Sequence, residues 1–286
     1  MILFPNAKIN IGLRIVSRRA DGYHNIDTLM VPVRMRDILE AHRSGEGDRI
    51  ECLGREMDCA PEDNLVLKAV RRLRERCPGL GGLSFILEKH IPTEAGLGGG
   101  SADAAFALRA AAALEPELGL TDAILADVAA LTGADCPFFI YNKVCHATGT
   151  GTDIQFCPID PWGDLGLAIA KPRCAGVSTR EAYAGVRPAP LPPGVSLVDE
   201  YRRHPSEWAA RGILVNDFEA SVFARVPAIA AVKQRFLDCG AFYASMSGSG
   251  AAVYGIFADR AAAQGIADVF ADCDFFADTL GGCMTD

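Results

Sequence analysis

Between Ile91 and Ala105, four glycines (Gly96, Gly98, Gly99 and Gly100) stand between an alternating apolar run (Leu83, Phe85, Leu87) and an alanine-rich stretch, Ser101 to Leu114, that holds no Gly or Pro. A strand, a loop free to take left-handed backbone and a helix must therefore follow one another. Such a loop lets backbone N–H groups close on phosphate oxygens, and the helix start adds about half a positive charge. Glycines alone do not separate this anion cradle from a simple tight turn. The letters do exclude a Walker loop, which needs Gly-Lys-Ser or Gly-Lys-Thr, and the Gly-x-Gly-x-x-Gly of a dinucleotide fold. His-Arg-Asp and Asp-Phe-Gly, the marks of a protein kinase, are also missing.

A second glycine element, Ser247-Gly248-Ser249-Gly250, lies between two apolar runs in the later half. By itself it reads as a hairpin turn as readily as a ligand loop. At 286 residues, half of them hydrophobic, the chain is long enough for two lobes with a cleft between them. The change of rhythm places the boundary near residue 155, giving an N-terminal lobe at 1–155 and a second α+β lobe at 156–286. The net charge of −8 argues against a nucleic-acid or anionic-membrane partner, since both need clustered Lys and Arg. Ten cysteines without a Cys-x-x-Cys pair, and no apolar signal segment near Met1, predict reduced thiols in a soluble cytoplasmic protein.

From Lys8 to Val16 the residues alternate strictly, with Ile9, Ile11, Leu13 and Ile15 on one face of a half-buried strand. Lys8 and Asn10 then project side by side from the other face, roughly 7 Å apart. Asp21-Gly22 marks a turn. Asn64 supplies an N-cap for a helix, and Thr121 caps another that stops at Gly133. Asp135 follows that glycine and precedes Pro137, a setting equally suited to a turn residue and to a fixed general base.

Pro5-Asn6-Ala7-Lys8-Ile9-Asn10, Gly96 to Ser101 and Ser247 to Gly250 together resemble the three motifs of the galactokinase, homoserine kinase, mevalonate kinase and phosphomevalonate kinase (GHMP) superfamily. Further stretches resemble its branch that acts on a cytidine diphosphate-linked methylerythritol: Arg19 to His24, Asp63-Asn64-Leu65, Gly133 to Phe139, Lys171-Pro172, Val177-Ser178-Thr179 and Asn216 to Glu219. The resemblance implies an α+β, two-lobed fold. Its N-terminal lobe would be like domain 2 of ribosomal protein S5 and its C-terminal lobe ferredoxin-like. It also implies ATP and Mg2+, transfer of a phosphoryl group to the substrate's 2-hydroxyl in the non-mevalonate isoprenoid pathway, and a monomer or homodimer. Another alcohol kinase of the superfamily, of homoserine or mevalonate type, and a nucleotide-binding protein without catalysis remain the alternatives.

By the same resemblance, Asp135 would be the base and Lys8 its electrostatic partner. Gly96, Leu97, Gly98, Gly99, Gly100 and Ser101 would hold the nucleotide phosphates, with Asn64 and Lys89 near the adenine. Asn10 would bind the polyol. Tyr23 and Tyr183 would sandwich the cytosine while His24 bonds its edge, and Ser247 and Gly248 would complete the substrate site. Base stacking of that kind contributes about 1–3 kcal/mol per base. Ala102 stands where many members carry a second serine, which leaves the anchoring of magnesium unknown, and Glu94 stands where a small residue is usual.

Overall fold

The strict alternation around Ile9 does produce a strand, but a longer and more deeply set one than the pattern predicts. The computed structural model describes residues 1–56, 59–157 and 162–281. Its elements run β1 (Ile2–Leu3), β2 (Asn6–Arg18), β3 (His24–Arg36), β4 (Ile38–Ser44), β5 (Arg49–Gly54), α1 (Leu65–Arg76), β6 (Gly82–Lys89), α2 (Gly99–Leu114), α3 (Asp122–Thr132) and α4 (Cys136–Tyr141). There follow β7 (Cys145–Gly149), β8 (Asp153–Phe156), β9 (Gly166–Pro172), α5 (Thr179–Ala184), α6 (Leu197–Tyr201), α7 (Pro205–Arg211), α8 (Glu219–Arg225), α9 (Pro227–Asp238), β10 (Tyr243–Met246), β11 (Val253–Phe257), α10 (Arg260–Gln264) and β12 (Cys273–Thr279).

The chain divides into two compact units that do not follow a single cut at 155/156. One comprises residues 1–7, 35–93 and 98–142, the other 8–34, 94–97 and 143–286. The physical reason is β2, whose backbone bonds to the later half: Leu13 N donates to Val215 O at 2.8 Å and Asp217 N to Leu13 O at 2.8 Å.

In the first unit the sheet order is β1-β4-β6-β5, with β5 parallel to β6 and the other pairs antiparallel. Strand β6 alternates as expected, burying Leu83, Phe85 and Leu87. Asn64 caps α1 by accepting from Val66 N at 2.9 Å. Helix α1 buries Val66, Leu67, Ala69, Val70 and Leu73. Helix α2 begins two residues earlier than its alanine run, because Gly98 at φ +72° turns the chain directly into it.

The second unit holds two sheets, β2-β3-β7-β8 and β10-β11-β9-β12. In the latter all pairs are antiparallel and β9 is central. With helices between β9 and β10 and between β11 and β12, this is the ferredoxin-like order expected for the C-terminal residues. Its core gathers Phe218, Val222, Ile229, Val232, Phe236, Val253 and Phe257. The nine cysteines among the described residues are free thiols.

Candidate active site

The two glycine elements, separate in sequence, are bonded to each other. Ala251 N donates to Glu94 O and Ala252 N to Ala95 O, each at 3.0 Å. Ser247 Oγ donates to Gly96 O at 2.9 Å. Glu94 takes a left-handed φ of +50° to make this approach, as do Gly96 (+71°), Gly248 (+53°) and Gly250 (+92°). A side chain on Gly96 has no room, since its Cβ would lie 2.0 Å from Ser247 O. What reads as a plain hairpin is thus half of a paired loop structure.

Strand β2 feeds into the same place. Lys8 N donates to Leu97 O at 2.9 Å, and Asn10 N to Ser247 Oγ at 3.3 Å. Lys8 and Asn10 do share a face, but that face is as buried as the other, with Lys8 3% and Asn10 2% exposed. The Lys8 ammonium donates to Asn10 Oδ1, and Asn10 Nδ2 donates to Thr28 Oγ1 at 3.1 Å. Thr28 in turn donates to Gly12 O at 2.6 Å. Asn10, expected to bind the polyol, here holds the lysine ammonium through its amide oxygen.

Asp135 sits at the entry of α4 with helical backbone, φ −83° and ψ −14°, and its side chain does not cap the helix. It is half-buried. The neighbouring Cys136 is buried, and burial pushes its thiol up to about 12 although a hydrogen bond from Ser101 opposes this. Gly133 fits beside both, its missing Cβ falling 3.1 Å from Cys136 Sγ and 3.8 Å from Ser101 Oγ. The first turn of α2 is so tied to the turn that carries Asp135.

Lys89, expected near the adenine, is part of a buried ion cluster. It is 3% exposed, and its ammonium donates to Asp37 and to Asp103 Oδ2 at 2.7 Å. Asp37 also accepts from His90 N at 2.6 Å and Ile91 N at 2.8 Å, so the cluster pins the chain just ahead of the glycine loop. Burial works against the ammonium, but the two carboxylates outweigh it and raise its pKa. Burial likewise pushes the Asp103 carboxyl up to about 7, with Asp37 adding to the shift and Lys89 opposing it. The sequence did hold a signal: Lys89 falls on the buried register of β6, and a lysine there demands a carboxylate partner.

Among the aromatic residues, Tyr23 is 68% exposed. The ring stacked on Tyr183 is that of His24, at 4.9 Å and 22°, while Phe218 meets Tyr183 edge-on at 4.8 Å. Without a base between them, the ring next to Tyr183 is thus that of His24, which the resemblance sets at the cytosine edge. Desolvation, aided by Arg18, lowers the His24 pKa below its ordinary value, which keeps the imidazole neutral near pH 7.

Residues 64–143 match the family GHMP kinases N terminal domain, and residues 202–273 match GHMP kinases C terminal. Over 258 residues the chain is 47% identical to a 4-diphosphocytidyl-2-C-methyl-D-erythritol kinase of Parabacteroides distasonis, covering 90% of this chain and 92% of that protein. A second relative of that name, from Bacteroides thetaiotaomicron, is 44% identical over 263 residues, again covering 90% and 92%. The chain belongs to the GHMP kinases, among the 4-diphosphocytidyl-2-C-methyl-D-erythritol kinases. A crystal structure titled 4-(cytidine 5'-diphospho)-2C-methyl-D-erythritol kinase superposes with a TM-score of 0.82 at 31% identity, covering 99% of this chain and all of the other.

As a GHMP kinase the chain is an ATP-dependent small-molecule kinase with an α+β fold. No helix among the described residues is long and apolar enough to cross a membrane. No group of three or more metal-ligating side chains occurs among them either. Mg2+ in kinases is held largely by substrate phosphates with one or two carboxylates, and the Ser101 hydroxyl and the carboxyl of the half-buried Asp135 are oxygen donors of the type such an ion takes. Ala102 is fully buried, which leaves Ser101 as the hydroxyl of that turn.

Proposed function

We propose that the chain transfers the γ-phosphoryl group of ATP to the 2-hydroxyl of 4-diphosphocytidyl-2-C-methyl-D-erythritol, as a cytoplasmic enzyme, monomeric or homodimeric, of the non-mevalonate isoprenoid pathway. The observation that carries the reading is the bonded pair of glycine loops with the Lys8 amide on Leu97. Backbone donors of Gly98 to Ser101, at the start of a 16-residue helix, bind the β- and γ-phosphates. A Mg2+ ion arriving with the nucleotide, with Ser101 at hand, would offset the phosphate charge.

Asp135 accepts the hydroxyl proton while the oxygen forms a bond to the γ-phosphorus and the bond to the ADP oxygen breaks. Transfers of this kind depend on positioning and electrostatic stabilisation rather than on covalent chemistry by the protein. Lys8, oriented by Asn10, supplies the fixed positive charge. Asn64 lies near the adenine, Ser247 and Gly248 meet the substrate, and the cytosine stacks on Tyr183 once the His24 ring turns to bond its edge.

Phosphorus NMR of the purified protein with ATP, Mg2+ and the cytidyl substrate tests the reading, with homoserine and mevalonate as competing alcohols. A new phosphomonoester signal with the cytidyl substrate alone is expected. Transfer to homoserine or mevalonate instead would move the chain to another branch, and ATP binding without transfer to any alcohol would defeat the catalytic reading.

A further inference from the structure

The Asn216–Glu219 segment leads into α8, and its side chains reach the second glycine loop. Asn216 is 4% exposed, and its Nδ2 donates to Met246 O at 2.7 Å and to Gly248 O at 2.8 Å. Its Oδ1 accepts from Phe218 N at 2.9 Å. The amide's two N–H donors and its oxygen are all engaged. From three residues on, Glu219 Oε1 accepts from Met246 N at 2.8 Å and from Ser245 Oγ at 3.0 Å, while its other oxygen accepts from Lys233 at 2.6 Å. Asp217 Oδ2 accepts from Ile15 N at 2.8 Å, which ties the same segment to β2.

We propose that Asn216 is a positioning residue for the alcohol substrate: its amide clamps the carbonyls of Met246 and Gly248, and so sets Ser247 and Gly248 against Gly96. The proposal rests on the reading that Ser247 and Gly248 meet substrate. The chemistry selects this residue type. The two carbonyls flank the turn residue Ser247, and only a side chain with two N–H donors on one nitrogen bridges them. An aspartate here would set a carboxylate against two carbonyl oxygens, and an alanine would leave both oxygens without their buried donors. Two of the neighbouring backbone N–H groups are already engaged, Ser247 N donating to Ala252 O and Gly250 N to Ser247 O, each at 2.9 Å.

Amide exchange read by mass spectrometry on wild type and Asn216→Ala tests the clamp without any assay of turnover. Residues 247–252 should exchange at least about tenfold faster in the variant, while α9 and β9 keep their protection. In steady-state assays the KM for the cytidyl substrate should rise about tenfold, with the KM for ATP moving less than about twofold. Asn216→Ser keeps one donor and should fall between the two, and it serves in place of the alanine variant if that chain does not fold. Unchanged exchange at the loop, or equal loosening of the whole unit, overturns the clamp. Faster loop exchange with an unmoved cytidyl KM overturns its bearing on substrate. A wild type inactive toward every alcohol defeats the proposed function instead, and the exchange result still decides the clamp.

Discussion

The carbonyl oxygen of Ser247 occupies the space where a side chain on Gly96 would begin, 2.0 Å from the Cβ position, although the two residues are 151 positions apart. Gly96→Ala therefore meets two obstacles. Left-handed backbone costs an alanine about 1–2 kcal/mol, and the overlap forces the loops apart. The expected outcome is a lower Tm together with an ATP KM raised by at least about tenfold, checked by calorimetry and initial rates. Gly22, also at positive φ but with nothing near its Cβ position, provides the control: Gly22→Ala should show the stability loss without the change in ATP KM.

For the chemistry, Asp135→Asn is nearly isosteric but cannot accept the hydroxyl proton, so turnover should fall about 10²- to 10⁴-fold. Substrate and ATP affinities should change little. Lys8→Met should lower turnover as well, and under the proposed joint role of the two residues the double variant should lose much less than the product of the single losses. Wild-type turnover by Asp135→Asn at saturating substrate would falsify its role as base.

His24 offers a pH signature. Its pKa is lowered by desolvation first and Arg18 second, so the imidazole protonates at lower pH than an ordinary histidine. The KM for the cytidyl substrate should begin to rise at lower pH than titration of an ordinary histidine would give. Tyr183→Ala, which removes the surface under the ring, should raise the same KM and spare that for ATP. Equal changes in both constants would place cytosine recognition elsewhere.

The buried Lys89 cluster makes a stability prediction. Lys89→Met leaves Asp37 and Asp103 uncompensated and should cost about 3–5 kcal/mol in urea unfolding. Asp103→Asn should behave in the opposite sense as pH rises. A carboxyl whose pKa is raised on folding, here to about 7, favours the folded state fully below its unfolded value near 4 and loses that contribution as pH rises through 7. Relative to wild type, the asparagine variant should gain stability between about pH 4 and 7. A constant difference across that range would show that Asp103 does not titrate there.

Local features were legible in the sequence where local forces decide them. Asn64 and Thr121 cap helices as expected, because the cap bond spans only two or three residues. The strand around Ile9 was legible, but its burial on both faces was not, because alternation reports one covered face and says nothing of a second. Helices α5 to α7 went unread in a stretch rich in proline and glycine, where short helices are set by packing rather than propensity.

The site shows the same division. Each glycine loop stood out by composition, whereas their mutual bonds join residues with no shared local signal. The His24–Tyr183 stack joins rings far apart in the sequence, which no local signal announces. Asn10 and Lys89 were read from the positions they share with the family. Lys8 lies on the same strand as Asn10, but their protein partners Thr28, Asp37 and Asp103 come from other parts of the chain and carry no local signal.

The bonds from Leu13 to Val215 and Asp217 also bear on how the chain is made. At about 5–20 residues per second, a ribosome needs some 10–40 s after Leu13 emerges to deliver the segment that completes its pairing. Throughout that interval the apolar β2 has an unfilled edge, the kind of surface that recruits chaperones or other nascent chains. The N-terminal strand that carries Lys8 thus finishes folding near the end of synthesis.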